Sequence, residues 1–242
     1  MKLTTVLCSV NNNPNYYRSI PKQILFWDKF NIKFITIFAG ESIPDELQEY
    51  SDNIILWNKN LDLHSAFISQ NIRIYYPALL NLPDDEMVLI SDIDNLPINE
   101  QYFKNDLDKC NIDDFVHYYE QMGNHIYMDY NAAHPKTWGK IFHIKTENDI
   151  EKKLYETYNI NYNGIPGTAE WWIDQEVLTS HLLKYPHLKF FHRSIRTIHV
   201  HQYNNHIENK DENFLSNYDD LSFARNYNEE FALNIQKLLF NI

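Results

Sequence analysis

The run Met87-Val88-Leu89-Ile90 has no polar alternation. A strand with one wet face alternates apolar and polar residues. A continuous apolar run with β-branched residues at 88 and 90 is a strand buried on both faces, the setting of a parallel sheet. Such a strand needs a layer of structure above it and another below. The chain upstream supplies them. Residues 4–10 and 32–38 are further short apolar runs, ended by Asn11-Asn12-Asn13-Pro14 and by Ala39-Gly40, and residues 53–57 are another. Between them lie helix-like segments: 16–30, with Ile20, Ile24, Leu25 and Trp27 at helical spacing, then 43–50 and 65–80. Strand–helix–strand repetition predicts an α/β fold. Its central sheet is mostly parallel, flanked by helices and joined by right-handed crossovers.

The second half is less regular. Residues 115–119 and 125–130 read as two strands, a hairpin around Gly123-Asn124. Helices are expected at 135–142, 148–158 and 173–184, a loop at 161–170, and strands at 188–191 and 196–201. From residue 206 the chain is polar and acidic until an amphipathic helix at 229–240. No internal repeat and no Gly/Pro/Ser-rich linker interrupts it, so residues 1–242 read as one domain.

Composition removes several functions. The formal net charge of -12 is wrong for a nucleic-acid partner, whose phosphates demand a Lys/Arg surface. Two cysteines, Cys8 and Cys110, make no disulfide framework. No apolar stretch approaches the roughly 20 residues of a membrane span. The N-terminus lacks a signal peptide's apolar core, and no Asn-x-Ser/Thr sequon occurs. These features together predict a cytoplasmic chain.

The strongest chemical signal is the end of the buried strand, Ser91-Asp92-Ile93-Asp94. In open α/β sheets ligands sit outside the carboxyl ends of strands. Two carboxylates there, two residues apart, suit a hard divalent cation, which lets an acidic protein hold an anionic diphosphate. The competing reading is that Asp92 and Asp94 cap the next turn, with Asn95 and Pro97 completing it.

The stretch from Asn71-Ile72-Arg73 through Pro77-Ala78-Leu79-Leu80 and Pro83 to Asp92-Ile93-Asp94 resembles GT-A glycosyltransferases. There an Arg-bearing helix and a Pro-Leu-Leu-Pro stretch feed the strand that carries an Asp-x-Asp motif. Downstream, Trp172-Ile173-Asp174-Gln175-Glu176-Val177-Leu178 is similar to the family's Asp-Gln helix beside the acceptor, and Ser9-Val10-Asn11 follows the first strand. The layout is especially similar to the small transferases, or transferase domains, of large algal DNA viruses such as chloroviruses.

The resemblance implies a single GT-A domain with a nucleotide-binding half, 1–98, and an acceptor half, 99–242. It implies a UDP-sugar donor, with glucose or rhamnose as candidate sugars, and an oligosaccharide or glycoprotein acceptor in viral glycan synthesis. Asp94 would ligate Mn²⁺ or Mg²⁺ directly. Asp92 would do so through water or hold the ribose. Ser9, Val10 and Asn11 would line the nucleotide pocket, and Arg73 would reach the diphosphate or donor sugar. Asp174 is the implied base or nucleophile, with Glu170 its understudy. A late histidine, His199 or His201, would add a metal ligand, although neither stands in the Gly-x-x-Lys context of some members. Trp171 and Trp172 are candidates to stack on an acceptor sugar, because flat rings match a pyranose face. Residues 161–167, with Gly164 and Gly167, read as a lid.

Each assignment has a plainer rival: a surface salt bridge for Arg73, a helix-terminal carboxylate for Asp174, core packing for the tryptophans. Two other function classes compete. Phosphoryl transfer by an aspartate nucleophile also uses Asp-x-Asp, but after a first strand and with Thr or Val where this chain has Leu96. A non-catalytic carbohydrate- or nucleotide-binding module on the same fold is the other; Asp92, Asp94 and Asp174 together argue against a decayed site.

Overall fold

The computed structural model describes residues 1–118, 125–191, 197–199 and 217–222. Its elements run as follows: β1 (Lys2–Asn11), α1 (Pro14–Tyr17), α2 (Ile20–Asp28), β2 (Lys33–Ala39), β3 (Ile54–Trp57), α3 (Ser65–Tyr75), β4 (Glu86–Ile90), β5 (Asn95–Pro97), α4 (Glu100–Lys104), β6 (Phe115–His117), β7 (Asn131–Ala133), α5 (Pro135–Phe142), α6 (Glu147–Thr157), α7 (Ile173–Leu182), β8 (Leu188–Phe190), β9 (Thr197–His199) and β10 (Asp220–Ser222).

Seven strands form one sheet in the order β3-β2-β1-β4-β7-β6-β8. β1 pairs in parallel with β2 and β4, β2 with β3, and β6 with β8. Among the described residues, β7 alone in this sheet runs against both its neighbours. The period-2 rule sorts the sheet residues into two cores. Val6, Cys8, Val10, Phe34, Phe38, Met87 and Leu89 face one cluster with Trp27 of α2 and Phe103 of α4. Leu7, Ile37, Val88 and Ile90 face the other, with Phe67 and Ile72 of α3 and residues of α5, α6 and α7. Met87, Val88, Leu89 and Ile90 are all fully buried, as the unbroken apolar run requires. Both cysteines are buried and free.

Helix boundaries follow proline. The helix expected over 16–30 is two, because Pro21 lacks the N–H that would reach Tyr17 and its ring crowds that carbonyl. The helix expected over 65–80 leaves α geometry at Tyr75, two residues before Pro77, and continues as a 3-10 turn, Tyr76–Leu79. Residues 45–53 are a 3-10 run rather than a regular helix.

The second half needs larger corrections. Residues 125–130 are not a strand; the partner of β6 is Asn131–Ala133. A short strand within the polar tail, β10, was not foreseen. It pairs antiparallel with β5, and in parallel with β9, in a three-stranded sheet. The expected turn at Gly123-Asn124, His201 and the helix at 229–240 lie outside the described residues. Among the described residues no helix is long and apolar enough to cross a membrane.

Candidate active site

The strand order reverses at β1: β2 and β3 lie on one side of it, β4 on the other. At such a switch point the two following loops diverge and leave a crevice beyond the carboxyl ends. A cleft of about 690 Å³ opens there. Ser9, Val10 and Asn11 reach it from the end of β1, Asp92 and Asp94 from the loop after β4. The Ser9 hydroxyl donates to the Ser69 carbonyl on α3, and Asn11 Nδ2 donates to Ser65 Oγ at 3.2 Å, so α3 braces the end of β1.

Arg73 sits in the last turn of α3 and is 9% exposed. Its Nη1 donates to Asp92 Oδ1, and its Nη2 donates to Asp174 Oδ2 at 2.9 Å. Three distant pieces of chain thus meet at one guanidinium, and the reading of Arg73 as a surface salt bridge is overturned. Each terminal nitrogen gives a hydrogen bond to one carboxylate, and Arg73 itself lines the cleft. Burial pulls the Arg73 guanidinium down, but Asp92 and Asp174 outweigh it and the net direction is up. The cation is therefore permanent. Asp174, 4% exposed, lies in the first turn of α7, and its Oδ1 also accepts the Gln175 backbone N–H at 2.8 Å. It is a helix-terminal carboxylate and a cleft residue at once. Burial lifts its carboxyl, opposed by Arg73 and the Gln175 N–H, and the result is upward.

A fourth carboxylate is Asp129, which the sequence reading missed. It lines the cleft, and its Oδ1 is buried with no hydrogen-bond partner. Burial, then the neighbouring Asp92 and Asp94, push its carboxyl well above the ordinary range. No motif marks it. The available signal was an acid inside an aromatic run, Tyr127-Met128-Asp129-Tyr130, which a plain buried strand would not tolerate unpaired.

The far wall comes from the 3-10 turn Ala169–Trp172 and the start of α7. Trp171, Trp172 and Gln175 line the cleft, and Trp172 is 49% exposed at its mouth. Gly164, at φ 70°, also lines it; a Cβ there would stand 2.7 Å from the His64 ring, so only glycine fits. Glu170 does not line the cleft. The backbone of His199 lies on β9, paired with Ser222.

The residues present fit a divalent cation in one respect. Asp92, Asp94 and Asp129 share the cleft, and the negative charge of Asp92 and Asp94 adds to burial in pushing the Asp129 carboxyl towards its neutral form. Among the described residues no three His, Cys, Asp or Glu side chains converge as a ready cage. Mg²⁺-type ions commonly take one or two carboxylates and complete their shell with substrate phosphates and water.

No protein-family model matches the sequence, and no curated protein does. Solved structures do match. The galactosyltransferase LgtC, in complex with donor and acceptor sugar analogues, aligns over 99% of this chain and 96% of its own, at 14% identity and a TM-score of 0.53. An active-site glutamine-to-glutamate mutant of LgtC aligns over 98% and 96%, at 14% identity and a TM-score of 0.54. A glycosyltransferase involved in glycosylation of the major capsid of PBCV-1 aligns over 96% and 99%, at 10% identity; its TM-score of 0.47 is too low to carry weight. The likeness to LgtC shows the fold: this chain has the GT-A architecture.

Proposed function

We propose that the chain is a glycosyltransferase that moves a hexosyl or deoxyhexosyl group from a UDP-sugar to a hydroxyl of an oligosaccharide or glycoprotein glycan. The observation that carries this reading is the convergence of Asp92, Asp94, Arg73 and Asp174 in one cleft at the switch point of a GT-A fold. The motif resemblance to algal-virus transferases supports a glycoprotein glycan as the acceptor.

In this reading Asp94 and Asp92 hold Mn²⁺ or Mg²⁺. When bound, the cation neutralises the charge that develops on the departing diphosphate. The chain supplies the rest. Arg73 fixes the Asp92 carboxylate and ties it to Asp174, so both are oriented before the donor arrives. Ser9, Val10 and Asn11 form the nucleoside wall. Trp172, half-exposed beside the cleft, offers a face for an acceptor ring, and Trp171 also lines the cleft. Asp174 is the buried carboxylate on the acceptor side. In an inverting transfer it takes the acceptor hydroxyl's proton. In a retaining one it stabilises, with the Gln175 amide, the positive charge at the anomeric carbon. The anomeric configuration of the product distinguishes the two. Glu170 stands outside the cleft, so Asp174 carries this role alone.

A thermal-shift panel of nucleotide sugars, with and without Mn²⁺, tests the reading, because a ligand that binds the native state raises its melting point. A UDP-sugar with Mn²⁺ should raise Tm by several degrees, and addition of an acceptor glycan should release UDP. No shift with any nucleotide sugar contradicts the reading. A shift without turnover on any acceptor or water would mark a binding module instead.

A further inference from the structure

Asn131 opens β7 with its side chain fully buried. Its Nδ2 donates to the carbonyls of Tyr127 at 2.8 Å and Met128 at 3.0 Å, and more weakly to that of Asp129 at 3.4 Å. An amide nitrogen has only hydrogens to offer, so this end of the side chain is committed to the turn. The other end, Oδ1, lies 2.8 Å from His117 Nδ1, directly across the β6–β7 ladder. An amide oxygen only accepts, so His117 Nδ1 carries the hydrogen. The orientation of the amide is thereby set by its partners.

The preceding residue adds a second anchor. Tyr130 takes φ 55°, a left-handed backbone that aromatic residues seldom adopt. Its Oη donates to Asp220 Oδ2 at 2.8 Å, its carbonyl accepts from the Tyr118 N–H at 3.1 Å, and its ring packs edge-on against Phe103. The three carbonyls held by Asn131 belong to Tyr127, Met128 and Asp129, all of which line the cleft. Neither Asn131 nor His117 lines it.

We propose that Asn131, oriented by His117, is a positioning residue for donor binding: it holds the 127–129 turn so that Asp129 stands beside Asp92 in the cleft. Its functional half rests on the transferase reading above; its structural half rests on the geometry alone.

The test uses two readouts on the full chain: hydrogen–deuterium exchange of peptides covering residues 125–133, and calorimetric titration of UDP in Mn²⁺. His117→Leu removes the donor to Oδ1. Asn131→Asp keeps the shape and removes the Nδ2 hydrogens. These break the tie from opposite ends, so one variant that fails to fold leaves the other. Both should speed exchange in the turn and weaken UDP binding about tenfold, the scale of one lost hydrogen bond. His117→Asn, whose amide nitrogen occupies the place of Nδ1, should bring both back towards wild type. Exchange in His117→Leu matching wild type overturns the proposal. Faster exchange with unchanged UDP affinity overturns its functional half. If wild-type protein itself binds no UDP, the transferase reading fails, and the exchange data alone decide whether Asn131 positions the turn.

Discussion

Arg73 stands between Asp92 and Asp174, and the arithmetic of charge around it decides what each acid can do. One guanidinium faces Asp92, Asp94 and Asp174 in the same cleft, with Asp129 beside them pushed towards its neutral form, so negative charge is in excess until a cation or a ligand's counter-charge arrives. Asp94→Ala should therefore leave the fold intact, since the loss relieves like-charge repulsion rather than opening a cavity. The same change should abolish Mn²⁺-dependent binding of a UDP-sugar by calorimetry. Unchanged affinity in Mn²⁺ would sink the metal assignment. Asp174→Asn keeps the size and the acceptor for Arg73 but cannot take a proton or carry charge. It should keep KM nearly constant while kcat falls by about 10²–10⁴-fold. Near wild-type turnover would leave Asp174 as no more than a helix-terminal carboxylate. That Asp92 and Asp94 reach a cleft was legible because two acids end a buried strand, and the place of Asp174 came through the motif resemblance alone. Asp129 was not legible, because its role comes from a turn folded by side-chain hydrogen bonds, and no local pattern encodes that.

At the scale of elements, the first four strands were legible because burial on both faces writes an unbroken apolar run, whereas the turn before β7 and the strand β10 were not. Asn131 bends residues 127–129 by hydrogen bonding their carbonyls, so apolar composition there misled. β10 has only three residues in a polar tail, and it is held by partners far away in sequence. The central strand carries a simple prediction: Leu89→Ala, at a fully buried position, should cost about 2–5 kcal/mol in denaturant unfolding. A loss below 1 kcal/mol would contradict the packing described. β10 carries a pH prediction. Asp220 is 1% exposed, and burial pushes its carboxyl up to about 6, against the hydrogen bonds from Thr197 and Tyr130. The unfolded chain releases that proton near pH 4, the folded one only near 6. Between those values the native state holds more protons, so stability is full below pH 4 and falls as pH rises, by about 3 kcal/mol in all. Asp220→Asn keeps an acceptor for Tyr130 and removes the titration. It should match wild type near pH 4 and exceed it at pH 7.5 in urea unfolding. Equal pH slopes for the two proteins would contradict the burial of an uncompensated carboxyl.

For the molecule as a whole, the strand order is what makes the cleft. With β2 and β3 to one side of β1 and β4 to the other, the loops after β1 and β4 part, and α3 and the start of α7 close the sides with Arg73 and Asp174. The short sheet of β5, β9 and β10 then fastens the chain just beyond Asp94, since β5 begins at the next residue. Donor nucleotide, cation and acceptor are all assigned to this one crevice, so a single measurement bears on all of them. It is a crystal structure of the protein with UDP and Mn²⁺. The account predicts the nucleoside along Ser9–Asn11, the diphosphate facing Asp92 and Asp94, and the metal between them. A nucleotide bound anywhere other than between the ends of β1 and β4 would contradict it.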